Sequence, residues 1–185
     1  GYGTLRLGRS LSPSQRVASN YDPHGTDGIG SLGSGGLLIG HSPLVRLESG
    51  LYYETPKFGG FSVFAAAQMD DQANTVDDRI KSVRLRYENG PLDIALAHAD
   101  MRTGNDVTSL GMAVKLGAFT PMLQYHWGER GANKRKTMLL GTLVKLGAGE
   151  VRAAWSKSDD RSSGNTDRTL AAIGYDHALS KRTTL

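Results

Sequence analysis

The chain has 185 residues, a formal net charge of +4, no cysteine and 38% hydrophobic residues. The missing cysteines exclude a disulfide scaffold and a Cys-based zinc site. No apolar run approaches the roughly 18 residues of a membrane-spanning helix, but strand-built membrane proteins remain open because their short alternating strands look soluble on average.

The chain opens on Gly1-Tyr2-Gly3-Thr4-Leu5-Arg6-Leu7, which reads as a strand with no basic, apolar leader before it. It ends on Leu185, at what looks like the start of another strand, so the sequence reads as a piece of a longer protein. Between these ends, period-two alternation recurs and predicts ten strands, near 2–9, 45–55, 61–69, 80–88, 92–100, 107–116, 120–128, 137–146, 150–157 and 168–178. In the fourth, Ile80, Ser82, Arg84, Arg86 and Glu88 share one face, and Val83, Leu85 and Tyr87 the other. In the seventh, Leu123, Tyr125 and Trp127 alternate with Met122, Gln124 and His126. Aromatics gather near strand ends on the apolar face, as an interfacial girdle would.

Short and longer links alternate along the chain. The short ones are Pro56-Lys57-Phe58-Gly59-Gly60, Asn89-Gly90-Pro91, Gly117-Ala118-Phe119, Gly147-Ala148-Gly149 and Ser180-Lys181-Arg182. The longer, polar ones are 70–79, 101–106, 129–136 and 158–167. Short turns on one side and longer loops on the other describe an up-and-down barrel in an outer membrane. A soluble sandwich also alternates apolar with polar residues, but it gives no reason for two classes of link. Residues 10–44, rich in Gly, Ser and Pro, break the rhythm; loops this long are functional or disordered.

Other motifs carry less. Gly28-Ile29-Gly30-Ser31-Leu32-Gly33 fits a dinucleotide fingerprint, but no helical period follows it, and glycines that let a loop fold back are the better account. His24, His41, His98, His126 and His177 lack zinc spacing, and Asp70-Asp71 and Asp77-Asp78 read as solvated loop acids, so no metal or cofactor is expected. No G-x-S-x-G serine elbow is present. The cations are spread one or two per strand, which argues against nucleic acid.

Three segments resemble the Gram-negative general porins, with the flavour of their β-proteobacterial branch. They are Gly3-Thr4-Leu5-Arg6-Leu7-Gly8-Arg9; Arg46 to Pro56 with Phe58-Gly59-Gly60-Phe61-Ser62; and Gly174-Tyr175-Asp176-His177-Ala178-Leu179-Ser180-Lys181-Arg182-Thr183. Two positions depart from the family pattern, Glu48 for an Asn and His177 for an aromatic. The resemblance implies a single all-β domain over 1–185, part of an antiparallel up-and-down transmembrane β-barrel of about sixteen strands. It implies an outer-membrane homotrimer in contact with the bilayer and lipopolysaccharide, without enzyme activity, that passes ions and small hydrophilic solutes. It makes residues 10–44 a constriction loop with candidate acids Asp22 and Asp27, facing wall cations Arg6, Arg9 and Arg46, with Arg16 extending the cluster.

Strict alternation, independently, points Arg6, Arg46, Arg84, Arg86, Lys115, Lys145 and Arg152 inward with Glu48, Glu54, Glu88 and Asp93, a net positive lumen with mild anion preference. The competing reading is a non-channel β-protein, either a soluble carbohydrate-binding sandwich or a structural, adhesive outer-membrane barrel.

Overall fold

A computed structural model describes residues 1–25, 28–33, 46–69, 80–101, 105–162, 164–180 and 183–184. Strands β1 (Thr4–Leu11), β2 (Arg46–Glu54), β3 (Phe61–Gln68), β4 (Ile80–Asn89), β5 (Leu92–Met101), β6 (Asn105–Val114), β7 (Phe119–Arg130), β8 (Asn133–Leu146), β9 (Gly149–Asp160), β10 (Arg168–Ser180) and β11 (Thr183–Thr184) form one sheet. Each pairs antiparallel with the next in sequence, so the order is purely up-and-down, and all ten expected strands are present. Of the links expected to be long, 129–136 is instead a tight hairpin. β7 and β8 run on to Arg130 and Asn133, and Gly131 takes the positive φ of 59° that such a turn needs.

Polarity is inverted relative to a water-soluble sheet. One face exposes Leu7 (72%), Ile173 (80%), Leu140, Trp155, Leu85 and Leu96. The other buries Arg84 (2%), Gln124 (0%), Ser109, His126, Thr137 and Ser158. Apolar side chains left outside and polar ones enclosed suit a wall with hydrocarbon on one side and a polar lumen on the other. No described helix is long and apolar enough to cross a membrane.

Part of the long link lies across the inner face. It contains a helix the sequence reading did not anticipate, α1 (Pro13–Asn20), started by Ser12, whose hydroxyl accepts from Gln15 N at 3.0 Å, with Pro13 in the first turn. Eight residues do not hold a helix unaided. α1 is held by packing on β3 to β6, where Val17 and Tyr21 join Ala95, Ala97 and Ala113 in one cluster. Farther along, Pro23 rests over Gly141 of β8, His24 beside Gly174 of β10, and Leu32 packs with Leu139, Ala154 and Leu170. Residues 12–25 and 28–33 thus lie along the inner wall from β3 to β10. Gly111 makes the crossing possible, since a Cβ there would overlap the Tyr21 ring.

Candidate functional site

The inner wall beside α1 carries three guanidiniums around one carboxylate. Glu54, the last residue of β2, meets Arg6 of β1 at 3.5 Å, Arg16 of α1 at 3.4 Å and Arg84 of β4 at 3.3 Å. Phe64 of β3 forms the floor, with the Arg16 guanidinium 4.1 Å and that of Arg84 5.5 Å from its ring centroid. Cations over a ring face are held by its quadrupole without being neutralised. Three positive groups against one negative leave this cluster with a net charge of +2. Arg84 is buried, while the Arg6 side chain is 43% exposed and faces the open side of the wall.

Two further clusters follow toward the short-turn side. Arg86 binds Asp93 through two bonds of 2.8 and 2.6 Å, and the Tyr21 hydroxyl donates to the same carboxylate at 2.7 Å. Lys57 and Arg86 both contact Glu88. Arg152 reaches Asp176 at 2.5 Å and Glu150 at 3.6 Å, and donates to Pro23 O at 3.0 Å. Tyr21 and Pro23 therefore attach the crossing segment to charged wall residues at two separate places. Burial, reinforced by the Asp93 carboxylate, pushes the Tyr21 hydroxyl above its ordinary range, which keeps it a donor.

A buried relay adds a third attachment. Gln124 Nε2 donates to Ala18 O at 3.1 Å, so its Oε1 is left to accept from His126 Nε2 at 2.6 Å. His126 Nδ1 lies 2.8 Å from Ser109 Oγ. Inward polar residues on β6 and β7 were visible in sequence, but only the fold shows that they reach the helix backbone.

Several sequence-expected site residues lie elsewhere. Ser49 has φ 47°, and the β1–β2 register shifts between Gly8 and Ser10. This bulge reverses the alternation beyond it, so Leu47, not its neighbours, joins the inner cluster with Tyr52 and Phe64. Arg46 and Glu48 consequently lie on the outer face, where Glu48 pairs with Arg9 at 2.6 Å. Asp22 is buried (5% exposed) and binds backbone N–H groups of His24 and Leu32, both at 2.9 Å. It holds a turn within the segment and does not face the arginines, and burial raises its carboxyl above the usual range. Asp27 lies outside the described residues. Arg6, Arg84 and Arg86 point inward as expected, as does Lys115, two positions beyond inward-facing Ala113. Arg16 comes from the loop itself, so the described loop brings positive charge to the wall. Alternation makes Glu54 an inward acid but gives no sign of its central place, and Phe64 carries no sequence signal because an inward aromatic breaks the apolar-out rule.

Comparison with known proteins agrees with this architecture. The Gram-negative porin family profile matches residues 1–185. Outer membrane porin protein 32 of Delftia acidovorans is 29% identical over 205 residues, covering all of this chain and 58% of that protein. An outer membrane porin of Bordetella pertussis is 26% identical, again over the whole chain and 61% of the relative. Among solved structures, an anion-selective porin from Comamonas acidovorans superposes with a TM-score of 0.82 at 27% identity, over 99% of this chain and 61% of that one. OmpT of Vibrio cholerae, solved in a trimer form, shares the fold at TM-score 0.75 with 12% identity. The chain thus spans about three-fifths of the length of the relatives it matches.

Proposed function

The chain belongs to the Gram-negative porin family, and from that premise we propose that its parent protein forms a passive aqueous channel for ions and small hydrophilic solutes, with a preference for anions. The family is located in the outer membrane, and its members are channels, not enzymes. The observation that carries the anion preference is the cluster of Arg6, Arg16 and Arg84 around the single carboxylate of Glu54. Fixed cations at a narrow, water-filled passage concentrate anions and repel cations. Because Arg16 sits on the segment crossing the lumen, positive charge approaches the solute path from loop and wall alike. We propose a homotrimer as the working assembly, by likeness to a relative solved in trimer form.

The test is electrical. The full-length parent, reconstituted in planar bilayers, should give stepwise conductance, and a salt gradient should give a reversal potential of anion-selective sign. A protein that stays folded, soluble and monomeric without detergent would overturn the channel reading. A cation-selective potential would overturn the charge argument alone. Heat-sensitive trimers on electrophoresis are the expected assembly, and a detergent-solubilised monomer of full conductance would remove the trimer.

A further inference from the structure

Two polar side chains of β7 are closed off from the lumen: Gln124 is 0% exposed and His126 3%. We propose that these two, which no permeating ion touches, are positioning residues for the anion preference. His126 fixes the orientation of the Gln124 amide, Gln124 holds the end of α1, and α1 thereby holds Arg16 at the passage. This rests on the reading that the cluster of Arg6, Arg16 and Arg84 selects anions.

Arg16 lies between two pins. Toward the start of α1, the Ser14 hydroxyl meets that of Ser82 on β4 at 3.1 Å, and Ser82 donates in turn to His98 O at 3.1 Å. Toward its end, Gln124 donates to Ala18 O. Ala18 is among the last four residues of α1, whose carbonyls have no N–H within the helix to accept from. No basic side chain stands in the last turn to serve them. Tyr21, which ends the helix, has φ −115°, outside the left-handed conformation that would bring following N–H groups back onto them. The wall amide therefore supplies a donor that the helix's own sequence does not.

The relay has a single polarity. A backbone carbonyl only accepts, so the end of Gln124 facing Ala18 is its NH2, and Oε1 faces His126. An amide oxygen also only accepts, so His126 Nε2 carries the hydrogen. In the neutral ring Nδ1 is then the acceptor, and the Ser109 hydroxyl at 2.8 Å donates to it. Without the hydrogen on Nε2, the Gln124 amide loses its reason to prefer this orientation. The flipped amide sets Oε1 against Ala18 O, two acceptors facing each other away from water. A buried polar group left unsatisfied shifts an equilibrium by about tenfold or more. The seat of Arg16 thus depends on a ring of β7, while its own contacts, Glu54 and Phe64, belong to β2 and β3.

The test is the reversal potential of the full-length parent in planar bilayers under a potassium chloride gradient. His126→Gln places an amide N–H where Nε2 stands and should match wild type. His126→Asn reaches only as far as Nδ1. It should lower the anion-to-cation permeability ratio by up to about four-fold, the effect in water of withdrawing one cation from about 5 Å. Gln124→Met keeps the length without the polar groups, should repeat that loss, and serves if His126→Asn does not insert. Adding His126→Asn to Arg16→Gln should change nothing further, because the relay acts through Arg16. Wild-type ratios in both His126→Asn and Gln124→Met, an equal loss in His126→Gln, or a further loss on top of Arg16→Gln would overturn the proposal. Limited proteolysis in detergent separates it from the channel reading. His126→Asn should be cut within residues 12–25 about ten times faster than wild type, and His126→Gln no faster. A cation-selective wild type with that cleavage pattern defeats the anion reading and leaves the anchoring in place. Equal cleavage of all three in an anion-selective protein defeats the positioning alone.

Discussion

Replacing Glu54 with Gln removes the one negative charge shared by Arg6, Arg16 and Arg84 and leaves its shape in place. Gln still offers one carbonyl oxygen to the guanidiniums, so the cluster keeps a hydrogen-bond acceptor while its charge rises from +2 to +3. A monovalent anion passing about 5 Å from the carboxylate feels a repulsion of about 0.8 kcal/mol at the dielectric of water, and several times more at an effective value near 20. At about 1.4 kcal/mol per tenfold, the lower figure corresponds to roughly a four-fold change. The anion-to-cation permeability ratio of E54Q should therefore rise at least about four-fold over wild type. The assay is the reversal potential of the full-length parent in planar bilayers under a tenfold potassium chloride gradient, at low ionic strength where screening is weak. A ratio that falls, or that moves less than two-fold while conductance stays normal, refutes the placement of Glu54 on the ion path.

Arg16→Glu and Arg46→Glu form a contrasting pair: the first should shift selectivity toward cations, and the second, on the outer face beyond the bulge, should leave the reversal potential as in wild type. An Arg46→Glu shift as large as that of Arg16→Glu would show that the bulge has been assigned to the wrong face. Gly111→Val places methyl groups in the space of the Tyr21 ring; it should unseat α1, and limited proteolysis in detergent should cut within residues 12–33 of the variant at least ten times faster than in wild type. Asp22 gives a pH test. Its carboxyl is raised in the docked segment, so the docked form holds the proton more tightly than the released one. The group's contribution to docking is fullest below about pH 4 and is lost as pH rises through the raised value. Proteolytic protection of wild type relative to Asp22→Asn should accordingly increase from pH 7 to pH 4, and a relative decrease would contradict the sign of the shift.

The strands are legible in the sequence because period-two alternation is a local property. Leu123, Tyr125 and Trp127 face out, and Gln124 and His126 face in, on the covalent geometry of an extended chain alone. The same logic correctly turned Arg6, Arg84 and Arg86 inward. It failed at Arg46 and Glu48 because one residue in the left-handed region, Ser49, inserts an extra position and reverses every side chain beyond it. Serine gives no signal of a bulge comparable to glycine's. α1 announced itself only through Ser12-Pro13, a cap followed by a first-turn proline, within a stretch whose composition otherwise reads as loop. Asp22 reads as a constriction acid only on the strength of the family resemblance, and sequence does not show that two backbone N–H groups already bind it.

The sequence by itself determined the ten long strands, the up-and-down order and the polarity of the wall, because each follows from the alternation of neighbouring residues. Only the tertiary structure decided which arginines share a carboxylate. Arg6, Arg16, Glu54 and Arg84 lie on four different elements, and they meet because the register of β1 to β4 and the seat of Tyr21 on Gly111 bring α1 down onto Phe64. Contacts between residues so far apart along the chain depend on summed packing across the whole sheet, and no local pattern encodes them.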